Sequence, residues 1–110
     1  MDRDIELGYV GLRATDPDGL DGFFGDVIGL VPGDAPHTWR NDDHARRIII
    51  EEGDGDDAAY IGFEAVDAAA FDRVLARLAG AGFEAVDADP APRRAERLAM
   101  AMSPWGVPVE

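Results

Sequence analysis

The sequence predicts an α+β fold of two β-α-β-β-β modules, whose strands form a curved mixed sheet, shaped as a cup, with the helices on its outer face. The first observation is an internal repeat, because "YVGLRATD" from Tyr9 and "YIGFEAVD" from Tyr60 agree at matched places. The second is that a helix pattern and further strand patterns follow each copy. We therefore expect a single domain, 1–110, with modules at about 5–52 and 58–110.

In the first module, a strand is predicted at 9–14, and a helix follows it. Asp16 is a candidate N-cap with Pro17 at the first helical position, and Gly29 can end the helix. Apolar residues at helical spacing lie on one face of this predicted helix: Leu20, Phe23, Phe24, Val27 and Ile28. A strand near 30–31, a hairpin across 41–43 and a strand at 47–51 complete the module.

In the second module, a strand is predicted at 60–66, and Asp67 is the candidate cap of the next helix. The same helical face recurs, and glycines at 80 and 82 bracket its end; the face consists of Phe71, Val74, Leu75 and Leu78. Further strands are predicted at 83–86, 98–102 and 107–110, with a turn at 103–106 between the last two. The acidic stretch "EEGDGDD" connects the modules.

The composition is that of a small globular domain without cysteine chemistry. With 110 residues, 46% of them hydrophobic, the chain can bury one core. The absence of cysteine excludes disulfides, a thiolate nucleophile and zinc–sulfur sites. No apolar run approaches the roughly 20 residues that cross a bilayer. The start, "MDRDIELG", lacks the apolar core of a signal peptide, so a cytoplasmic protein is expected.

The net charge is strongly negative and limits the classes of partner. The chain carries 23 acidic and 10 basic side chains, every basic one an arginine, for a net charge of −13. Such a surface repels phosphate backbones and anionic lipids. We therefore expect no nucleic-acid partner and no membrane partner.

Four stretches, in order, resemble the vicinal oxygen chelate superfamily: "LGYVGL" from Leu7, "AAYIGFEAVD" from Ala58, the pair Arg93-Arg94, and "SPWGVPVE" from Ser103. This superfamily includes glyoxalase I, bleomycin-resistance proteins and extradiol dioxygenases. The stretches are most similar to the amino-terminal domain of two-domain type I extradiol dioxygenases, of the 2,3-dihydroxybiphenyl 1,2-dioxygenase kind. The resemblance spans essentially the whole chain.

The resemblance implies where iron ligands would lie. In these enzymes the carboxy-terminal domain holds Fe(II) through two histidines and a glutamate. The equivalent positions in this chain are Tyr9, Tyr60 and Glu110. A phenol with a pKa of about 10 is a poor ligand for Fe(II) at neutral pH. We therefore expect this chain to bind no cofactor, and the Fe(II) to lie elsewhere in the complete two-domain enzyme.

Other uses of these positions remain open. Tyr9, Tyr60 and Trp105 are candidates for lining a ligand cup; alternatively the tyrosines fill a vacated metal cavity, and Trp105 anchors the last strand. Glu110 is expected to be structural or to fray. Glu51 is a further candidate ligand, which with the tyrosines and Glu110 would give a low-affinity, all-oxygen site for Mg²⁺ or Ca²⁺.

Two more groups of residues have alternative interpretations. His37 and His44 flank the predicted hairpin and are expected at the surface, with a metal or acid–base role as the alternative. Arg93, Arg94 and Arg97 form a basic cluster on an acidic protein. They contact a neighbouring domain, a subunit or an anionic group, or they neutralise nearby carboxylates.

The resemblance implies a scaffold and assembly role within an extradiol catechol dioxygenase of aromatic catabolism. The partner would be a carboxy-terminal catalytic domain of the same superfamily or another copy of this chain. Alone, the chain is expected to be inactive. The alternatives are a stand-alone protein that binds a small aromatic ligand, as bleomycin-resistance proteins do, and a metalloenzyme of the glyoxalase type.

Overall fold

A computed structural model describes residues 4–104 and 106–110, and it divides the chain into two compact units. One unit is Gly8–Ile61, and the other is Gly62–Glu110 together with residues 4–7. Both contain strands and helix, which confirms the predicted α+β class. None of the helices in the described ranges combines the length and the apolar character needed to cross a lipid bilayer.

Eight strands and two α-helices lie in the described part of the chain. The strands are β1 (Ile5–Ala14), β2 (Val31–Pro32), β3 (Thr38–Arg40), β4 (Ile48–Glu52), β5 (Asp57–Ala65), β6 (Val86–Ala88), β7 (Leu98–Met102) and β8 (Pro108–Val109). The helices are α1 (Pro17–Gly22), which continues as a π-helical turn (Phe23–Ile28), and α2 (Ala68–Gly80). A short 3₁₀ turn (Ala91–Arg93) precedes β7.

The strands of each unit form mixed or antiparallel ladders. In Gly8–Ile61 the order is β2-β3-β4-β1-β5, with β1 parallel to β4 and the predicted hairpin pairing β3 with β4. In Gly62–Glu110 the order is β5-β8-β7-β6, and β7 is antiparallel to both β6 and β8. β1 and β5 contribute residues to both units.

The first predicted helix begins as expected but changes its hydrogen-bonding pattern. Asp16 caps α1 by accepting a hydrogen bond from the Gly19 N–H, and Pro17 opens the helix. From Phe23 the chain is π-helical and ends at Gly29, which has a φ of 87°. Val27 and Ile28 of the predicted apolar face lie in this π-helical turn and are 70% and 55% exposed. The helix is thus present where predicted, but its second half is π-helical rather than α-helical.

The second predicted helix forms as the sequence indicates. Asp67 caps α2 by accepting a hydrogen bond from the Ala70 N–H at 2.7 Å, and α2 ends at Gly80. The following strand starts later than predicted, at Val86 rather than 83. The reason is that the Phe83 N–H donates to the Leu78 carbonyl at 2.9 Å, which makes Phe83 part of the turn that closes the helix.

The carboxylate of Asp4 forms ion pairs with two arginines of α2. Asp4 accepts hydrogen bonds from Arg73, at 2.9 and 3.2 Å, and from Arg77, at 2.8 Å. These two guanidinium groups, Arg73 foremost, lower the pKa of Asp4 to about 2. Asp4 is in turn the main cause of a raised pKa at Arg73. The contact therefore joins residues 4–7 to α2 within one unit.

Candidate functional site

The structure brings the two predicted tyrosines together. Tyr60 on β5 is only 5% exposed and forms a buried apolar cluster with Ile49 and Ala59. Tyr9 on β1 packs against this cluster, with its ring centroid 5.9 Å from that of Tyr60 and the two planes at 81°. This edge-to-face geometry is one that aromatic pairs favour. Both phenols are thus components of the core of their unit.

The repeated "Tyr-x-Gly" pattern has a local reason in the first module. Side chains two residues apart on a strand lie on the same face, so Gly11 and Tyr9 share one face of β1. A Cβ atom at Gly11 would overlap the ring of Tyr60. The glycine therefore makes the space in which Tyr60 lies beside Tyr9.

Glu51 is a hydrogen-bond partner of this pair. The Tyr60 hydroxyl donates to Glu51 Oε1 at 3.2 Å, and Glu51 lies on β4 opposite Arg13 of β1. The phenol hydroxyl thus acts as a hydrogen-bond donor to this carboxylate. Sites for non-haem Fe(II) use two imidazoles and a carboxylate. The set formed by Tyr9, Tyr60 and Glu51 does not fit that requirement.

Glu110 is paired with Arg93. Its side chain is 3% exposed, and that of Arg93 is 16% exposed. Arg93 Nε and Nη2 donate to the two carboxylate oxygens at 2.8 and 3.0 Å, which is a bidentate pair. The negative charge of Glu110 is thus compensated within its own unit.

The rest of the arginine cluster makes local contacts as well. Arg97 donates to Asp72 at 2.9 Å, and its guanidinium carbon lies 4.3 Å from the centre of the Phe71 ring. Neutralisation of nearby carboxylates, one of the two predicted roles, therefore holds for Arg93 and Arg97. The remaining candidate for the ligand cup, Trp105, lies outside the described residues.

Both histidines are hydrogen-bonded at the surface. His37 Nδ1 contacts Asp21, which also accepts a hydrogen bond from the Trp39 indole at 2.7 Å, and His44 contacts Arg47 at 2.8 Å. Ligand-capable atoms of Asp18, Asp21 and His37 lie within 4.8 Å of one another. Because both oxygens of Asp21 already have protein partners, we assign no metal site to this group.

The sequence interpretation missed a cavity in the unit that contains α2. Its volume is about 290 Å³, and among the described lining residues only Ser103 and Glu110 carry polar side chains. The apolar face predicted for α2 forms one wall. That face could be found from its spacing, but the space left beside it depends on packing that no local pattern shows. Neither Tyr9 nor Tyr60 lines this cavity.

Known proteins with similar sequences include dioxygenases named for aromatic diols. Biphenyl-2,3-diol 1,2-dioxygenase of Sphingomonas paucimobilis is 34% identical over 112 residues, which cover 96% of this chain and 38% of that protein. The enzyme of the same name from Pseudomonas sp. strain KKS102 is 36% identical over 111 residues, covering 94% and 38%. The chain matches no family model.

Solved structures agree with the sequence comparison. A crystal structure of catechol 2,3-dioxygenase superposes with a TM-score of 0.84 at 27% identity, covering 94% of this chain and 37% of that one. This chain thus spans less than two fifths of the length of the relatives that it matches. The predicted resemblance is confirmed: the chain is a homologue of the type I extradiol dioxygenases over nearly all of its own residues.

Proposed function

We propose that this chain is the non-catalytic, amino-terminal-type domain of an Fe(II)-dependent extradiol dioxygenase that cleaves a catechol such as 2,3-dihydroxybiphenyl. Its role there is structural: it packs against the catalytic domain and supports assembly of the enzyme. The main support for this proposal is the extent of the sequence similarity. It covers 96% of this chain but only 38% of the relative from Sphingomonas paucimobilis. Such a match is typical of one domain of a longer protein.

The donor chemistry supports a non-catalytic role. Tyr60 uses its hydroxyl as a donor to Glu51, and Tyr9 meets Tyr60 through its ring. Glu110 has both carboxylate oxygens bound by Arg93. In the complete enzyme, Fe(II) held by two histidines and a glutamate of another domain would supply the site for catechol and oxygen. The residues described here supply packing instead.

The proposed partner is a carboxy-terminal catalytic domain of the same superfamily or another copy of this chain. Apolar surface that such a contact could cover is present on the π-helical turn. Phe23, Val27 and Ile28 are 47%, 70% and 55% exposed, and contiguous exposed apolar residues are typical of interaction surfaces. The net charge of −13 opposes non-specific association of the chain with itself, so a specific partner is favoured.

The first test measures iron binding and ring cleavage by the purified chain. We expect it, after anaerobic incubation with Fe(II), to retain no stoichiometric iron on desalting and to produce no ring-cleavage absorbance from 2,3-dihydroxybiphenyl. The matched variant Tyr9→His/Tyr60→His supplies two imidazoles beside Glu51 and should retain more iron than the original chain. Catechol cleavage by the original chain would refute the non-catalytic role.

The second test concerns the structural role. A biphenyl-2,3-diol dioxygenase lacking the part that this chain matches is mixed with this chain and with a Val27→Glu variant of it. We expect the original chain to bind the truncated enzyme in size-exclusion chromatography and to raise its activity. The charged variant should do so less well, because the exposed apolar contact is lost. If the truncated enzyme has the same elution volume and the same activity with and without the chain, the scaffold proposal is contradicted.

A further inference from the structure

The cavity beside α2 has the form of a small-molecule site. Its walls come from the apolar face of α2 and from β5, β7 and β8, and its volume is about 290 Å³. Ligand sites in proteins are concave and mostly apolar, with a few polar groups, and start at roughly 300 Å³. The cavity therefore lies at the lower end of the range for such sites.

The lining is rich in groups that favour aromatic ligands. Three of the five phenylalanines in the chain line it, together with two methionines: Phe63, Phe71, Phe83, Met100 and Met102. Phenyl rings pack edge-to-face or offset against another ring, and thioether sulfurs make favourable contacts with aromatic rings. We propose that this cavity is a binding site for an uncharged aromatic molecule of one or two rings.

Size sets the limit of two rings. An apolar cavity of roughly 150 Å³, engineered in another protein, binds benzene. The cavity of this chain, at about 290 Å³, has nearly twice that volume. It therefore holds two fused or linked rings. Access is open, since Phe63 and Met102 in its wall are 39% and 56% exposed.

Charge excludes ionised ligands. No arginine is among the described residues that line the cavity, and the acidic residue there, Glu110, is already paired with Arg93. The net charge of −13 repels anions before they reach the mouth. Burying a charge without a partner is unfavourable in such surroundings. An aromatic carboxylate should therefore bind far more weakly than the matching hydrocarbon.

This site is separate from the two tyrosines of the predicted ligand cup. The tyrosines of that cup fill the core of the unit Gly8–Ile61, whereas the cavity is lined by residues of the other unit. The proposal also goes beyond the scaffold function, because ligand binding here needs neither iron nor a second domain. The two proposals can fail independently.

Methionine labelling provides a direct test. The chain, with ¹³C at its methionine methyl groups, is titrated with naphthalene up to its aqueous solubility, and the signals of Met100 and Met102 are assigned with Met→Leu variants. We expect saturable, ring-current shifts of both signals with naphthalene. With 2-naphthoate we expect binding weaker by roughly tenfold or more, equivalent to about 1.4 kcal/mol.

Filling the cavity is the second arm of the test. Ala101→Leu adds apolar volume in the lining, whereas Ala76→Leu adds the same volume on the exposed side of α2. We expect Ala101→Leu to weaken naphthalene binding by roughly tenfold and Ala76→Leu to leave it unchanged. If Ala101→Leu does not fold, Ala65→Leu replaces it in a different wall.

Three results would overturn the proposal. The first is the absence of saturable shifts at Met100 and Met102. The second is naphthalene binding that survives both filling substitutions in the folded chain. The third is methionine shifts that depend on protein concentration without naphthalene, because then another copy of the chain, rather than a small molecule, occupies the cavity.

Discussion

Replacing Arg93 with methionine should destabilise the protein much more than breaking any of its exposed ion pairs. The substitution keeps an apolar stem of similar length but leaves the Glu110 carboxylate, 3% exposed, without its bidentate partner. Removing one member of a buried ion pair costs about 3–5 kcal/mol. Because the side chain of Arg93 is 16% exposed, water can reach the site in part, and we expect a loss of about 3 kcal/mol in the free energy of unfolding.

Urea unfolding followed by far-ultraviolet circular dichroism measures this loss. The matched control is Asp72→Asn, which breaks the pair with Arg97 where Asp72 is 69% exposed, and should cost less than about 1 kcal/mol. The double variant Arg93→Met/Glu110→Met removes the buried carboxylate charge as well and should regain most of the loss. A loss of unfolding free energy in Arg93→Met no larger than that in Asp72→Asn would refute the predicted role of this ion pair. A double variant no more stable than Arg93→Met would refute it too.

Three further changes test local parts of the fold. Asp4→Asn should make stability less dependent on pH. Because the pKa of Asp4 is lowered, its contribution to stability is complete above about pH 5 and is lost as the pH falls towards about 2. The melting temperatures of the original chain and of Asp4→Asn should therefore converge in acid. Gly11→Ala should cost about 1–3 kcal/mol in urea unfolding, because its Cβ overlaps the buried ring of Tyr60; unchanged stability would contradict that packing. Asp67→Ala should cost about 1 kcal/mol through loss of the α2 cap, and Asp67→Asn should restore most of it.

The helix α2 was predictable because its signals are local. A capping aspartate, apolar residues at helical spacing and two glycines at the end lie within 16 residues of sequence. The first helix has equally clear local signals, but after Gly22 its hydrogen bonding is π-helical, which those signals do not indicate. There the π-helical turn places Gly25 against the indole of Trp39, where a Cβ would come within 2.7 Å of Cη2. That contact joins distant residues, so spacing alone could not predict it.

The candidate site was predictable in its members but not in its pairings. The repeat identified Tyr9 and Tyr60 as equivalent positions, and the structure places their rings in contact. The pairing of Arg93 with Glu110 was not visible, because 17 residues separate them and the chain turns at Arg94, whose φ is 54°. The cavity was still less visible, since its volume is what remains after side chains from several elements have packed.

The two candidate carboxylates both have partners within the protein. A carboxylate in a poorly hydrated place needs a cation or hydrogen-bond donors. Glu51 has the Tyr60 hydroxyl, and Glu110 has the two N–H donors of Arg93. Since a guanidinium stays charged throughout the physiological pH range, the partner of Glu110 is permanent, and an incoming metal would have to displace it.

The same reasoning explains why one substitution should not restore a metal site. Tyr60→His would add an imidazole, but it would also remove the donor to Glu51 and the ring that fills the space beside Gly11. The metal would then have to offset both a lost hydrogen bond and a void in the core. The phenols, the glycine and the paired carboxylates thus support one another, and each makes the introduction of nitrogen ligands at its neighbours more costly.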